Sequence, residues 1–76
     1  MDYIFITVKA AGESAVDLKV PDYITGEEFL TVLSEITGKK LPAHTKIQAE
    51  PIGGILDNAQ TLASGGVETG ALLTLL

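Results

Sequence analysis

Seventy-six residues with 46% hydrophobic content, a net charge of −5 and no cysteine leave room for one small domain, residues 1–76. A chain of this length buries only about 60% of its unfolded surface, so its core must be dense in apolar side chains. The lack of cysteine excludes disulfide scaffolds, thiolate zinc sites, iron–sulfur clusters and thiol catalysis. Arginine is also absent, and the cations are Lys9, Lys19, Lys39, Lys40 and Lys46. Residues 1–38 hold seven acids against two lysines and residues 39–76 hold three against three, so the acidic excess sits in the first half. Nucleic-acid binding needs a basic stripe, which this balance opposes. No apolar run approaches the ~20 residues of a membrane span, and the N-terminus lacks the basic start and apolar stretch of a signal peptide. The expectation is a soluble, cytoplasmic domain without nucleic-acid partner or membrane insertion.

In chain order, Tyr3-Ile4-Phe5-Ile6-Thr7-Val8-Lys9 is rich in β-branched and aromatic types and reads as a strand with Ile4, Ile6 and Val8 on one face. Residues 10–13 form a turn. Ala15 to Val20 alternates again, with Val16, Leu18 and Val20 inward, which makes a β-hairpin. Pro21 closes it, having no N–H for the ladder. Thr25-Gly26-Glu27-Glu28 matches a capping box with Thr25 at N-cap and Glu28 at N3, and Ile24 and Phe29 stand where a hydrophobic staple falls. Glu27 and Glu28 lie at the positive end of the helix dipole, and Lys39 and Lys40 follow its negative end. Phe29, Val32, Leu33 and Ile36 make one apolar stripe with Leu30 on its flank. Gly38 stops the helix after about three turns.

Leu41-Pro42 reads as an extended connector. Thr45 to Glu50 is a short strand with Ile47 and Ala49 inward, residues 51–54 turn the chain, and Ile55-Leu56 is a strand stub. Residues 57–66 are irregular, with one helical turn around Thr61-Leu62. Ala71 to Leu76 closes as a strand with Leu73 and Leu75 on one face. The order is ββαββ with a terminal strand, an α+β domain with one helix across one sheet face. A β-grasp fold has this order, with the last strand inserted beside the first and a spatial order 2-1-5-3-4. A ferredoxin-like fold would need a second helix, and residues 57–70, with Gly65, Gly66 and Gly70, have no apolar stripe for one. The expected core is Ile4, Ile6, Val16, Leu18, Phe29, Leu33, Ile36, Leu73 and Leu75.

Val16-Asp17-Leu18-Lys19-Val20-Pro21-Asp22-Tyr23, the capped helix, and the ending Val67-Glu68-Thr69-Gly70-Ala71-Leu72-Leu73-Thr74-Leu75-Leu76 resemble the YukD/EsaB family of small bacterial ubiquitin-like proteins. The resemblance runs from Tyr3 to Leu76. It departs at Ala71, where many relatives carry an acidic residue, a change read as touching a turn cap and little else. The family belongs to the type VII secretion systems of Gram-positive bacteria, which export WXG-type proteins through an ATPase-driven membrane complex. What the resemblance implies is a cytoplasmic accessory component, not a protein-conjugating tag.

Candidates for chemistry are sparse. His44 is the lone histidine, reads as a surface loop residue and cannot build a metal site by itself. Ser14, Ser34 and Ser64 would need a base and an orienting partner to act as nucleophiles. Asp22, Glu27 and Glu28 match no calcium loop, and capping accounts for the two glutamates. Gly53-Gly54 and Gly65-Gly66 lack the lysine, hydroxyl and helix of a phosphate loop and read as turn residues. A conjugable or sulfur-carrying protein needs a free terminal diglycine. Here cleavage after Gly66 would delete Leu73 and Leu75 from the core. The expectation is no enzyme, no cofactor and no metal.

What remains is surface. Alternation puts Tyr3, Phe5, Thr7, Leu72, Thr74 and Leu76 on the sheet face opposite the helix, with Phe5, Leu72 and Tyr3 as an apolar strip. A contiguous exposed apolar patch marks a protein contact. With the resemblance, the expected partners are cytosolic parts of the secretion complex, the ATPase or a pseudokinase-like subunit. A homodimer through the same strip is the other use of this face.

Overall fold

Two alternating runs rich in β-branched residues pair side by side near the start of the chain. In the computed structural model, which describes residues 2–10, 14–38, 41, 45–50 and 53–76, β1 (Tyr3–Ala10) pairs antiparallel with β2 (Val16–Pro21), from Tyr3 opposite Pro21 to Val8 opposite Val16. β5 (Leu72–Leu75) runs parallel to β1, with Thr7 opposite Leu72 and Ala10 opposite Leu75. β3 (Ile47–Glu50) lies antiparallel on its other side, and β4 (Gly54–Ile55) pairs with β3. The order is β2-β1-β5-β3-β4, as the β-grasp expectation has it. α1 (Gly26–Thr37) is neither long nor apolar enough to cross a membrane, and no other helix among the described residues is. The turn expected over residues 10–13, Lys39 and Lys40, the connector beyond Leu41, His44 and the turn at Pro51-Ile52 lie, wholly or in part, outside the described residues.

Alternation sorts the sheet. Ile4, Ile6, Val8, Val20, Ile47, Ala49, Leu73 and Leu75 are buried with Phe29 and Leu33 from the helix. Leu18 and Leu30 are half-buried against them. Two expected core residues are not in it: Val16 is 44% exposed and Ile36 is 57% exposed. Val16 instead borders a small apolar cleft that it shares with Val8, Leu33 and Leu41.

The outward turn of Ile36 has its cause in the 57–70 segment. A β-carbon at Gly26 would come within 3.0 Å of the Asn58 Cα, so that segment lies directly on the first helical turn. This seats the Gly26–Phe29–Leu33 side inward and leaves Val32 and Ile36 to solvent. Periodicity states how wide an apolar stripe is, whereas a neighbour decides where it is centred.

The helix start is closed at all four of its otherwise orphaned amides. Thr25 N–H donates to Glu28 Oε1 (3.0 Å) and Glu28 N–H to Thr25 Oγ1 (3.1 Å). Gly26 N–H donates to the Gln60 carbonyl and Glu27 N–H to that of Asn58, both at 3.0 Å. The capping box therefore forms as read, with Thr25 at N-cap. Ile24 packs against the core, as the staple requires. At the other end Gly38 takes φ 70°, a left-handed conformation that costs glycine little. Thr25→Ala removes one acceptor and is expected to cost ~1 kcal/mol, measurable by urea denaturation. A change below a few tenths would mean that the loop carbonyls alone hold this end.

Residues 57–70 are irregular, with turns over 58–59, 62–66 and 69–70 and a bridge from Thr61 to Thr25, and the expected helical turn is reduced to a bond from Gly65 N–H to the Thr61 carbonyl (3.0 Å). Leu62 N–H and Ala63 N–H donate to the Ile24 and Asp22 carbonyls, both at 2.9 Å. These bonds draw Leu62 and Val67 into the core beside Ala71. Ala71 is thus a core residue, and a carboxylate there would be buried rather than confined to a turn cap.

Candidate protein-interaction face

The face of the sheet away from the helix is built by the residues that alternate with the core. Tyr3, Phe5, Thr7 and Lys9 come from β1, and Leu72 and Thr74 from β5. Tyr3 is 58% exposed and Phe5 is 60% exposed, whereas Leu72 and Thr74 are half-buried. The hairpin register sets Lys19 directly opposite Phe5. Its Nζ stands 5.3 Å from the Tyr3 ring centroid and 5.8 Å from that of Phe5. A cation over two ring faces is attracted by their quadrupoles, worth about 0.5–1 kcal/mol at an exposed site.

The strip is therefore shaped differently from a simple line. Thr7, not Phe5, is opposite Leu72, so Phe5 and Leu72 meet only on the diagonal, a reach of about 7–8 Å. Thr7 Oγ1 donates to Asp17 Oδ1 at 2.7 Å, fixing a polar pair beside that junction. Phe5 is anchored by its backbone: its carbonyl accepts from Gly70 N–H (2.8 Å), and its N–H donates to Thr69 Oγ1 (3.2 Å). Leu76 is exposed, and its backbone pairs with that of Lys46 at the far end, beyond Thr74. The face thus sets Tyr3 and Phe5 together under Lys19, leaves Leu72 on the diagonal from Phe5 and four residues along from Tyr3, and leaves Leu76 apart. Two contributors escape a reading of single strands, Lys19 and the exposed Ile55, which stands opposite Gln48.

The other candidates are dispersed. Ser14 and Ser64 are exposed in separate segments, and Ser34 is on the helix. No group of three or more histidines, aspartates or glutamates among the described residues could hold a metal. Asp22 Oδ1 accepts from Asp2 N–H at 3.2 Å, and Glu28 serves the cap. Gly66 has φ 86°, which a β-carbon would strain, so the Gly65-Gly66 pair makes a turn ahead of β5.

Solved structures share this architecture. The chain is similar to a Caldiarchaeum subterraneum ubiquitin at 25% identity and TM-score 0.78, covering 97% of this chain and 91% of that one. It is similar to the ubiquitin-like domain of an Arabidopsis thaliana protein at 15% identity and TM-score 0.81, covering 100% and 78%. The ubiquitin-like domain of tubulin-binding cofactor B matches at 19% identity and TM-score 0.79, covering 97% and 88%. No curated protein sequence matches the chain. The family model of protein YukD of the WXG100 protein secretion system (Wss) matches residues 3–75. A ubiquitin-like sheet order and a match over nearly every residue lead to one assignment: the chain belongs to the YukD family, ubiquitin-like accessory proteins of type VII secretion.

Proposed function

We propose that the protein is a non-catalytic, cytoplasmic docking module, one domain over residues 1–76, which binds cytosolic parts of the secretion membrane complex through its open sheet face. The contact residues are Tyr3, Phe5, Leu72, Thr74 and Leu76, and the partner is the ATPase or the pseudokinase-like subunit. The observation that carries this reading is the exposure of two aromatic rings side by side on a rigid sheet, Tyr3 at 58% and Phe5 at 60%. Binding energy concentrates in a few such anchors, with aromatic residues enriched among them. The conjugation reading has less support, since the Gly65-Gly66 pair is followed by the buried Ala71, Leu73 and Leu75.

Phe5→Ala is expected to weaken binding to the purified cytosolic domains of either subunit by at least ~1–2 kcal/mol. Its melting temperature should fall far less than that of a core variant. Loss of a homodimer on gel filtration instead would make the strip a self-interface. Unchanged binding and unchanged oligomeric state would remove the face from the function.

A further inference from the structure

The open face differs in charge from the rest of the molecule. All three described lysines, Lys9, Lys19 and Lys46, belong to it, although the whole chain carries −5. Lys9 lies opposite Thr74, Lys46 pairs through its backbone with Leu76, and Lys19 covers the rings. Against them, among the described acids, the face sets Asp17 and Glu50, opposite Thr7 and Leu72 respectively, while Asp2, Asp22 and Glu68 line a cleft at its Tyr3 end. Asp17 is already engaged by Thr7 Oγ1. The remaining described acids lie on the helix or in the 57–70 segment. Among the described residues Lys9 and Lys46 have no ion pair. They straddle β5, and strand spacing and rise set them roughly 12 Å apart.

From this segregation we infer that the docking face takes an acidic partner surface: an aliphatic or aromatic anchor seated at Tyr3 and Phe5, with two carboxylates reaching Lys9 and Lys46 at the other end of the face, about 13 Å or more farther along the strands. This rests on the docking reading and adds the partner's chemistry to it. Complementary charge fixes register and speeds encounter more than it adds affinity. A second copy of this face fits poorly, since it would bring three lysines and one unengaged acid against the same set. Nucleic acid and anionic membrane fit poorly too. A polyanion meets the field of the whole molecule, whose net charge is −5, and not only the three lysines of one face. A pair of carboxylates on a protein engages two lysines locally.

The test compares two double variants that change net charge equally. Lys9→Gln/Lys46→Gln removes two cations from the face. Ala59→Glu/Ser64→Glu adds two acids at exposed positions of the 57–70 segment. Affinity for the purified cytosolic domains of the ATPase and the pseudokinase-like subunit is measured at about 0.05 and 0.3 M NaCl. The glutamine variant is expected to bind about three- to tenfold more weakly at low salt and to lose most of the salt dependence. The glutamate variant should bind as the wild type does. Equal effects of the two variants, or none from the glutamine pair while Phe5→Ala still weakens binding, would overturn the acidic partner and leave the docking face standing. If Phe5→Ala and the glutamine pair both leave binding intact, the docking reading itself fails. Phosphatidylglycerol vesicles and a thymidine oligonucleotide serve as further probes. Tighter binding to either than to the protein domains would also overturn the proposal.

Discussion

Phe29→Ala is expected to lower stability by about 3–5 kcal/mol, the largest loss from any single truncation in the chain. Phe29 is fully buried, at 0% exposure, on the first turns of the helix that packs across the sheet. A domain of this size has a total stability of about 4–11 kcal/mol, so the variant should sit near the edge of folding. Urea denaturation reads the loss directly. A decrease below about 1 kcal/mol would show that the ring is not enclosed, and the helix would then be seated differently.

Leu73→Ala is expected to cost about 2–5 kcal/mol, and the neighbours of Leu73 point to the upper half of that range. Leu73 is on the central strand, opposite Val8 on one side and Ala49 on the other, with 0% exposure. Ala49 has no side chain long enough to reach into the vacancy, and the parallel pairing to β1 holds the strand in place. A cavity that cannot collapse costs more than one that can. The melting temperature should drop by at least about 8 °C. A shift of a degree or two would contradict the placement of Leu73 in the core.

The elements that were legible in the sequence are those whose determinants are local. Thr25, Glu28 and Gly38 state both ends of the helix without reference to the rest of the chain, because caps satisfy amides and carbonyls a few residues away. Strand phases are legible for the same reason: the aliphatic Ile4, Ile6 and Val8 alternate with Phe5, Thr7 and Lys9, and Thr74 between Leu73 and Leu75 sets the phase of the last strand. The burial of Leu62, Val67 and Ala71 has no such signal. Leu62 sits in a turn and Val67 and Ala71 in irregular backbone, and bonds to Asp22 and Ile24 some forty residues earlier in the chain bring that segment inward. The same segment, resting on Gly26, turns Ile36 outward. Val16 fails differently: it alternates correctly, but it lies at the hairpin's far end, where it borders a cleft instead of the core.

For the candidate face, Tyr3 and Phe5 were readable from alternation, whereas the company they keep was not. Lys19 stands over both rings because the hairpin register is symmetric and sets residues 5 and 19 opposite each other. That symmetry was available in the sequence once both strands had been recognised. The diagonal offset of Leu72 was not available. It depends on the parallel register of β1 and β5, strands that more than sixty residues separate.

The most direct measurement is a titration of the isotope-labelled chain with the purified cytosolic domains, followed by amide chemical shifts. The expected result is a set of perturbations confined to the open face: Tyr3, Phe5, Lys19, Leu72 and Thr74, extending to Lys9 and Lys46. Interfaces of this kind change backbone geometry little, so the helix should stay silent. Perturbations centred on the exposed helix residues Val32, Glu35 and Ile36, with Tyr3 and Phe5 unmoved, would contradict it and place the contact on the opposite side of the molecule.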